Sequence, residues 1–300
     1  MINGIINVYK EKGFTSFDVV AKMRGIFHQK KIGHTGTLDP DAEGVLPVCL
    51  GKATKVCDLL TDKDKEYKAV LLLGVETDTQ DISGEVLNKS EVTVTEDEVR
   101  NAIMSFVGEY EQVPPMYSAL KVNGQKLCDL ARKGITVERK ARQVTIHNIE
   151  ITSIALPEVE MVVSCSKGTY IRTLCDDIGK NLGCFGCMKS LLRTQVDRFL
   201  LADTYKLSEL QELVNLPKEQ WEFLAPVDVV FQKYEAVITK PDAQKLVING
   251  NRIPSDLILD FSEHHISETV RLYDSDNKFI GLYTYLSESK EFKPIKLFME

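Results

Sequence analysis

A short glycine-containing loop holds the two side chains that could most readily do chemistry. Residues 33–40 read GHTGTLDP, and the glycines and the proline restrict the backbone so that His34 and Asp39 can both point outward. A carboxylate presented in this way can act as a nucleophile. The alternative is an ordinary turn in which Asp39 accepts hydrogen bonds from backbone amides.

A carboxylate that works at neutral pH needs a cationic neighbour, and Arg172 is the candidate. It follows residues 167–170, KGTY, at the predicted start of a helix. A guanidinium is planar and can bind both oxygens of a carboxylate. Because an opposite charge at contact distance lowers a carboxyl pKa by roughly 1 to 3 units, we expect Arg172 to lower the pKa of Asp39.

Two tyrosines could hold an extruded nucleic-acid base. Tyr67 stands at the start of a predicted strand, and Tyr170 comes shortly before Arg172. An aromatic face stacks on any base and contributes roughly 1 to 3 kcal/mol. The alternative for both tyrosines is half-buried packing.

Other common chemistries lack their residues, so no metal and no cofactor is expected. No phosphate-binding glycine loop and no serine nucleophile elbow is present. The seven cysteines are odd in number and scattered, which favours reduced thiols, and Cys184-x-x-Cys187 is interpreted as a pair of packing thiols. The histidines have no cysteines or carboxylates at ligand spacing; they are His28, His34, His147, His264 and His265.

The elements that must position these residues indicate an α+β fold. Buried strands are predicted over residues 67–74 and 159–165, and a helix is predicted after Gly168. From about residue 234 the pattern becomes rich in turns and short apolar runs, including a hairpin over 270–283. This pattern predicts a small C-terminal β domain.

The first helix is predicted to begin at the capping residues Thr15 and Ser16. The apolar residues expected on its buried side are Phe17, Val20, Ala21 and Phe27.

Charge is unevenly distributed along the 300 residues. The net charge is -7, but residues 1–56 hold eight basic against five acidic side chains, and residues 121–142 hold seven against two. Local basic surface on an acidic protein permits phosphate contacts, although solvated helix faces would give the same counts. The second basic run lies in a long excursion over residues 113–142, and long ordered excursions are more often functional.

Apolar runs are too short to span a bilayer, and the N-terminus lacks the pattern of a secretory signal. We therefore expect a cytoplasmic protein that does not enter a membrane.

Five segments together resemble the bacterial tRNA pseudouridine-55 synthases, the TruB family. The segments are GIINVYKEKGFTSFDVV, KKIGHTGTLDPDAEGVLPVCLGKATK, DKEYKAVLLLGVETDTQD, PPMYSALKVNGQKL and CSKGTYIRTLCDDIGKNLG. The resemblance implies isomerisation of uridine-55 in the tRNA T-loop to pseudouridine, with an additional tRNA-folding chaperone role as a further option.

The resemblance also implies a role for each matching residue. Asp39 matches the catalytic aspartate, Tyr67 the tyrosine beneath the target ring, and Arg172 the arginine paired with the aspartate. Tyr170 and Leu191 match the remaining pocket wall, and His34 matches the histidine associated with base flipping. The matching insert, which grips the T-arm, contributes Lys121, Lys126, Arg132 and Arg142.

The implied fold is a pseudouridine synthase domain over residues 1–237, with a mixed, largely antiparallel central sheet flanked by helices and the RNA-gripping insert at about 113–142. A PUA-like RNA-binding domain over residues 238–300 would touch the acceptor stem. The implied partner is tRNA alone, bound by a monomer with no obligatory protein partner. Two departures from the family pattern are Cys128 in place of Tyr and Leu192 in place of Arg; they put a packing contact and a phosphate contact in doubt.

The implied reaction needs no redox change and can proceed with one nucleophilic carboxylate, either covalently or by stabilising charge at C1′. The target base must first leave its stack. Two rivals remain open: an RNA-folding chaperone without essential catalysis, and a hydrolase that releases the base. The sequence offers no separate base to activate water, which argues against hydrolysis.

Overall fold

The computed structural model describes residues 1–122, 124–262 and 267–299. The strands are β1 (Gly4–Lys10), β2 (Ile32–His34), β3 (Glu43–Leu50), β4 (Lys65–Leu73), β5 (Val75–Thr77), β6 (Val86–Lys89), β7 (Gly108–Gln112), β8 (Lys121–Val122), β9 (Gln125–Lys126), β10 (Arg142–Ala155), β11 (Glu158–Cys165), β12 (Gly186–Val196), β13 (Phe199–Leu200), β14 (Glu235–Ile238), β15 (Ile253–Pro254), β16 (Thr269–Tyr273), β17 (Phe279–Leu286) and β18 (Glu291–Leu297).

The helices are α1 (Ser16–Ile26), α2 (Cys57–Thr61), α3 (Glu96–Met104), α4 (Leu127–Ala131), α5 (Ile171–Asn181), α6 (Leu207–Leu213) and α7 (Gln244–Ile248). Short 3-10 turns link several of these elements, among them Gly51–Val56 and Val227–Phe231.

Nine strands form the main sheet. Seven of them lie in the order β1-β3-β12-β4-β11-β10-β7, while β2 pairs with β3 and β13 with β12. All of these pairs are antiparallel except β12 with β3, which is parallel. The expected α+β fold with a mixed, largely antiparallel central sheet is confirmed.

Strand β4 shows how the sheet places side chains on one face. Its residues alternate between buried and half-buried positions, so that Tyr67, Ala69 and Leu71 share the buried face. Alternation with period two is what a pleated strand imposes. Helix α5 packs on this face through Ile171, Leu174 and Ile178.

Helix α1 begins as predicted, because Thr15 caps it and forms a reciprocal capping box with Asp18. The prediction for its buried side is wrong at two of four positions. Phe17 is 64% exposed and Ala21 is also exposed, whereas Val19, Val20, Met23 and the capping Phe27 are buried. The helix turns the Val19–Val20–Met23 stripe to the sheet, and Phe17 is left under the guanidinium of Arg24.

The C-terminal β domain is confirmed as a five-stranded sheet in the order β14-β16-β17-β18-β15. The predicted hairpin is β16 with β17. Apolar residues join this sheet to the back of the main sheet: Leu282 and Phe298 pack with Ile5, Val45 and Phe231.

The 113–142 excursion contains the hairpin β8–β9 followed at once by α4. Arg139 Nη1 donates to the Pro114 carbonyl oxygen at 3.1 Å, which ties the two ends of the excursion together. Within the described residues, no helix combines the length and apolar character that a membrane span requires. All seven cysteines are free thiols, and Cys184 and Cys187 are both buried.

Candidate active site

The backbone of the 33–40 loop is held by hydrogen bonds on several sides. The Leu38 amide donates to Ser16 Oγ at 2.9 Å, and the Gly13 amide donates to the Pro40 carbonyl at 2.9 Å. The Asp39 carbonyl, rather than its carboxylate, accepts from the Ala42 amide at 3.1 Å. The Asp39 side chain is therefore available to other partners.

Arg172 supplies those partners. Its Nε lies 3.0 Å from Asp39 Oδ2 and its Nη2 lies 3.3 Å from Asp39 Oδ1, so the pair is bidentate. The two residues are 133 positions apart in the chain. Helix α5 brings Arg172 to the loop, and its guanidinium is buried while the Asp39 side chain is 38% exposed.

The remaining donors of Arg172 are also used. Nη1 donates to the Thr79 carbonyl at 3.1 Å and to Asp81 Oδ2 at 3.4 Å, and Nη2 donates to the Tyr117 carbonyl at 2.8 Å. Arg172 thus connects the 33–40 loop to the segment that follows β5 and to the first residues of the 113–142 excursion. A guanidinium with every donor engaged is fixed in orientation.

The pKa of Asp39 is raised, which corrects the expectation that Arg172 would lower it. Burial of the carboxyl group raises this pKa, the charge of Arg172 opposes the rise, and the nearby Asp81 carboxylate adds to it. Arg172 contacts both Asp39 and Asp81, so its positive charge does not stabilise the Asp39 carboxylate alone. The sequence could not reveal how far the site is removed from water.

Tyr67, Tyr170 and Leu191 lie around the same site. Tyr67 and Leu191 are buried in one cluster with Leu38, the residue before Asp39. Tyr170 precedes Arg172 at the start of α5, and its hydroxyl group is close enough to Asp39 and Arg172 for their charges to act on its pKa, which burial raises. Gln112 fixes the Tyr170 backbone by accepting from its amide at 2.7 Å.

His34 lies at the end of β2, on the other side of the loop. Its Nδ1 accepts a hydrogen bond from the Gly36 amide at 3.3 Å. Burial lowers the pKa of His34, and the nearby charge of Arg193 lowers it further. A neutral imidazole is therefore favoured near pH 7.

The basic residues predicted to bind RNA from the insert are exposed, and Arg142 is close enough to the Tyr170 hydroxyl for its charge to act on the pKa of Tyr170. Lys121 and Lys126 stand directly opposite each other in the β8–β9 hairpin. Like charges in such a position repel. Arg132 lies 3.7 Å from Asp129, and Arg142 begins β10, opposite Gln112. The departing residues are Cys128, on α4, and Leu192, whose side chain is half-buried on β12.

Arg193 is a residue of the site that the sequence analysis missed. It is 1% exposed and stands directly opposite Tyr67 in the β12–β4 ladder. Its position two residues after Leu191, on the same face of a strand, was the available signal.

No group of three or more histidine, cysteine or carboxylate side chains that could hold a metal ion occurs among residues 1–122, 124–262 and 267–299. His264 and His265, which the sequence analysis considered as ligands, lie outside the described residues. The chemistry available on the described residues is that of a carboxylate, a paired guanidinium and two tyrosines.

A carboxylate paired with a guanidinium beside a buried tyrosine, on a mixed and largely antiparallel sheet, is the arrangement that the resemblance to pseudouridylate synthases implied. Residues 24–171 match the model of the TruB family pseudouridylate synthase N-terminal domain, and residues 172–232 match the tRNA pseudouridylate synthase B C-terminal domain. The chain belongs to the TruB family of pseudouridylate synthases, which are isomerases.

The relatives are similar over almost their whole length. The tRNA pseudouridine synthase B of Lachnoclostridium phytofermentans is 54% identical, with 99% of this chain and 100% of the relative covered. The enzyme of the same name from Alkaliphilus oremlandii is 48% identical over 99% of this chain and 97% of the relative.

Chains with a similar fold occur in two solved complexes. A chain of a Cbf5-Nop10-Gar1 complex matches with a TM-score of 0.72 and 27% identity, covering 99% of this chain and 85% of that one. A chain of an H/ACA ribonucleoprotein bound to a substrate RNA containing 2′-deoxyuridine matches with a TM-score of 0.70 and 25% identity, at the same coverage.

Proposed function

We propose that the protein isomerises uridine-55 in the T-loop of tRNA to pseudouridine, with Asp39 as the nucleophile. The observation that carries the proposal is the bidentate contact between Asp39 and Arg172 beside Tyr67, in a chain that belongs to this family. The substrate follows from the relatives, which are named for tRNA.

The reaction breaks the bond between C1′ and N1 of uridine and forms a bond between C1′ and C5. The C5 hydrogen leaves as a proton and N1 gains one, so the RNA keeps its composition. Asp39 acts at C1′, either by forming a bond or by stabilising positive charge. Arg172 orients the carboxylate, Tyr67 and Tyr170 contact the extruded ring, and Leu191 closes the pocket wall.

RNA binding in this proposal uses surfaces beyond the pocket. The insert contributes Lys121, Lys126, Arg132 and Arg142 to the T-arm, and His34 occupies the place from which the target base is flipped. Lys121 and Lys126 face each other, and a phosphate between them would relieve their repulsion. The loss of a family contact at Cys128 or Leu192 would alter RNA affinity and leave the chemistry intact.

Residues 1–237 form the catalytic domain and residues 238–300 a PUA-like domain that touches the acceptor stem. The protein acts as a cytoplasmic monomer with tRNA as its only obligatory partner.

The proposal is tested by locating pseudouridine in an unmodified tRNA transcript after incubation with the protein. One new pseudouridine at position 55, and none in a transcript with cytidine-55, is the expected result. Free uracil with an abasic product would establish hydrolysis instead, and pseudouridine at another position would overturn the choice of uridine.

A further inference from the structure

We infer that Arg193 is a positioning residue of the active site that acts through Tyr67. The inference rests on the proposed function, because it assigns a role within that site. The Arg193 side chain is buried from solvent, and among the described residues no hydrogen bond or ion pair joins it to Asp39.

Strand register places the two residues together. Arg193 on β12 and Tyr67 on β4 are direct partners in an antiparallel ladder, and the side chains of such partners project from the same face with Cβ atoms roughly 4.5 to 5.5 Å apart. The guanidinium and the Tyr67 hydroxyl are close enough for each to act on the pKa of the other. Leu191 and Ala69 form the next pair on this face.

Strand β3 approaches the backbone of Arg193 closely at a glycine. Gly44 on β3 is the parallel-ladder partner of Arg193, with a φ of +105°. A Cβ at Gly44 would meet the Arg193 carbonyl oxygen at 2.2 Å, so no larger residue fits. Arg193 Nε donates a hydrogen bond to the Val45 carbonyl oxygen at 2.7 Å, which anchors the side chain to β3.

Arg193 is poorly compensated for a buried cation. In the described part of the chain its Nη2 is buried without a hydrogen-bond partner, and Tyr67 is the group that favours its charged form. Burial of an ion without a carboxylate partner is costly. Uncompensated buried charge is typical of functional sites, and the group placed to use this charge is the Tyr67 hydroxyl.

The electrostatic effect on Tyr67 is directional. Burial raises the pKa of Tyr67, Arg193 is the largest influence that opposes the rise, and Cys165 and Asp39 add to it. Among the described residues, the other titratable groups whose pKa the Arg193 charge lowers are basic: Lys10 on β1, His34 on β2 and Lys65 on β4. The phenol oxygen therefore lies in a region of positive charge, and the buried guanidinium packed beside it restricts the position of the ring.

The plane of the Tyr67 ring matters because a base stacked on it must present C1′ to Asp39. A misplacement of about 1 Å at a reacting centre can cost on the order of a hundredfold in rate. Removal of Arg193 should therefore lower kcat more than it weakens RNA binding.

The test compares Arg193→Met and Arg193→Lys with Arg271→Met on the full chain. Arg271 is a matched control, because its Nη1 contacts the Tyr273 hydroxyl at 3.1 Å in the C-terminal sheet. On a T-arm hairpin, we expect Arg193→Met to lower kcat by roughly tenfold or more, with KM within about threefold. Arg193→Lys should retain part of the activity, and Arg271→Met should retain nearly all of it.

The second readout is the titration of Tyr67, followed by the ¹³C signal of its Cζ atom in tyrosine-labelled protein and assigned with Tyr67→Phe. We expect the pKa of Tyr67 to rise when Arg193 is replaced, because the opposing charge is lost. If Arg193→Met does not fold, Arg193→Lys decides through the Cζ chemical shift and kcat. Unchanged turnover, or a fall in turnover with an unchanged Tyr67 signal, would overturn the inference. Wild-type protein that forms no pseudouridine would instead remove the proposed function.

Discussion

The pKa of Asp39 is set by opposing influences. Burial raises it most, and the charges of Asp81 and, more weakly, Asp41 add to the rise. Arg172, at 3.0 Å from the carboxylate, lowers the pKa of Asp39, as does Lys10, and the balance leaves the pKa raised. A nucleophile with a raised pKa is more basic when ionised, and it is lost to protonation at a higher pH than an ordinary aspartate, whose pKa is about 3.9.

Asp81→Asn tests this balance at the level of one residue. Removal of the Asp81 charge lowers the pKa of Asp39, so the acid limb of the profile of kcat/KM against pH should move to lower pH. The asparagine keeps an oxygen for the Ser83 amide, which now donates to Asp81 Oδ1 at 3.0 Å. Asp41→Asn is the comparison, and should move the limb less in the same direction, because the Asp41 charge acts on Asp39 more weakly than that of Asp81. A limb that stays in place or moves to higher pH would contradict this account.

The site residues show what a sequence can and cannot reveal. Asp39 and Arg172 could be paired by their types and by family resemblance, because both lie in distinctive motifs. The sign of the Asp39 pKa shift could not be obtained, because it depends on burial and on Asp81. Arg193 was missed because a charged residue in a strand is usually assigned to the exposed face, although its spacing of two from Leu191 places it on the buried face.

At the scale of elements, helix α5 determines where Arg172 lies, and its approach to β12 depends on Gly179. A Cβ at Gly179 would come within 2.2 Å of the Gly186 amide nitrogen and the Phe185 carbonyl carbon. Both atoms belong to the backbone, so relief requires movement of the helix or of the strand. The position of Arg172 therefore depends on the absence of a side chain at Gly179.

Gly179→Ala should therefore lower both stability and kcat. Overpacking typically costs about 1 to 3 kcal/mol, and the displaced α5 would lengthen the contact between Arg172 and Asp39. Gly25→Ala in α1 is the matched control, because nothing lies within 4 Å of its added Cβ; it should stabilise the protein by about 0.5 to 1 kcal/mol. Thermal unfolding and turnover measure both effects, and equal behaviour of the two variants would refute the coupling.

The β8–β9 hairpin is the second element with a testable role. Replacing Lys121 and Lys126 with Gln should raise KM for tRNA and leave kcat at saturation nearly unchanged. If each lysine contacts a phosphate, the slope of log K against log salt should fall by about 0.7 to 0.9 per lysine. Lys218→Gln with Lys233→Gln is the control, since both lysines are exposed and lie outside the insert. An unaltered slope would remove the hairpin from the RNA interface.

Elements were predictable where local signals were strong. The start of α1 at its capping residue Thr15, the buried strands and the β16–β17 hairpin were expected from residue types and periodicity. The prediction for the buried side of α1 was wrong because Phe17 is apolar and was therefore assigned to the core. Phe17 is exposed because Val19, Val20 and Met23 pack against the sheet, and this packing cannot be read from the helix sequence alone.

At the scale of the whole molecule, an aromatic cluster joins the two main sheets. Phe231 lies 6.0 Å from Phe279 and 5.7 Å from Phe298, measured between ring centroids. The same cluster includes Ile5 and Val45 of the main sheet. One hydrophobic core, made of residues from both sheets, therefore holds the C-terminal sheet against the main sheet.

Phe231→Ala should lower the free energy of unfolding by about 3 to 5 kcal/mol, as is usual for a buried phenylalanine. Because the cluster includes residues of both sheets, the thermal transition should shift as one. Leu259→Ala, at a side chain that is 44% exposed, is the control and should change little. Loss of stability in the C-terminal sheet alone would contradict a shared core.

The most direct measurement of the central claim is tritium release from a T-arm hairpin labelled at C5 of uridine. Wild type should release tritium, because C5 loses its hydrogen when it bonds to C1′. Asp39→Asn should bind the hairpin and release none, whereas Asp41→Asn, at an exposed carboxylate two residues away, should release it normally. Release by the Asp39→Asn variant, with deamidation excluded, would contradict the account, as would no release by wild type despite binding.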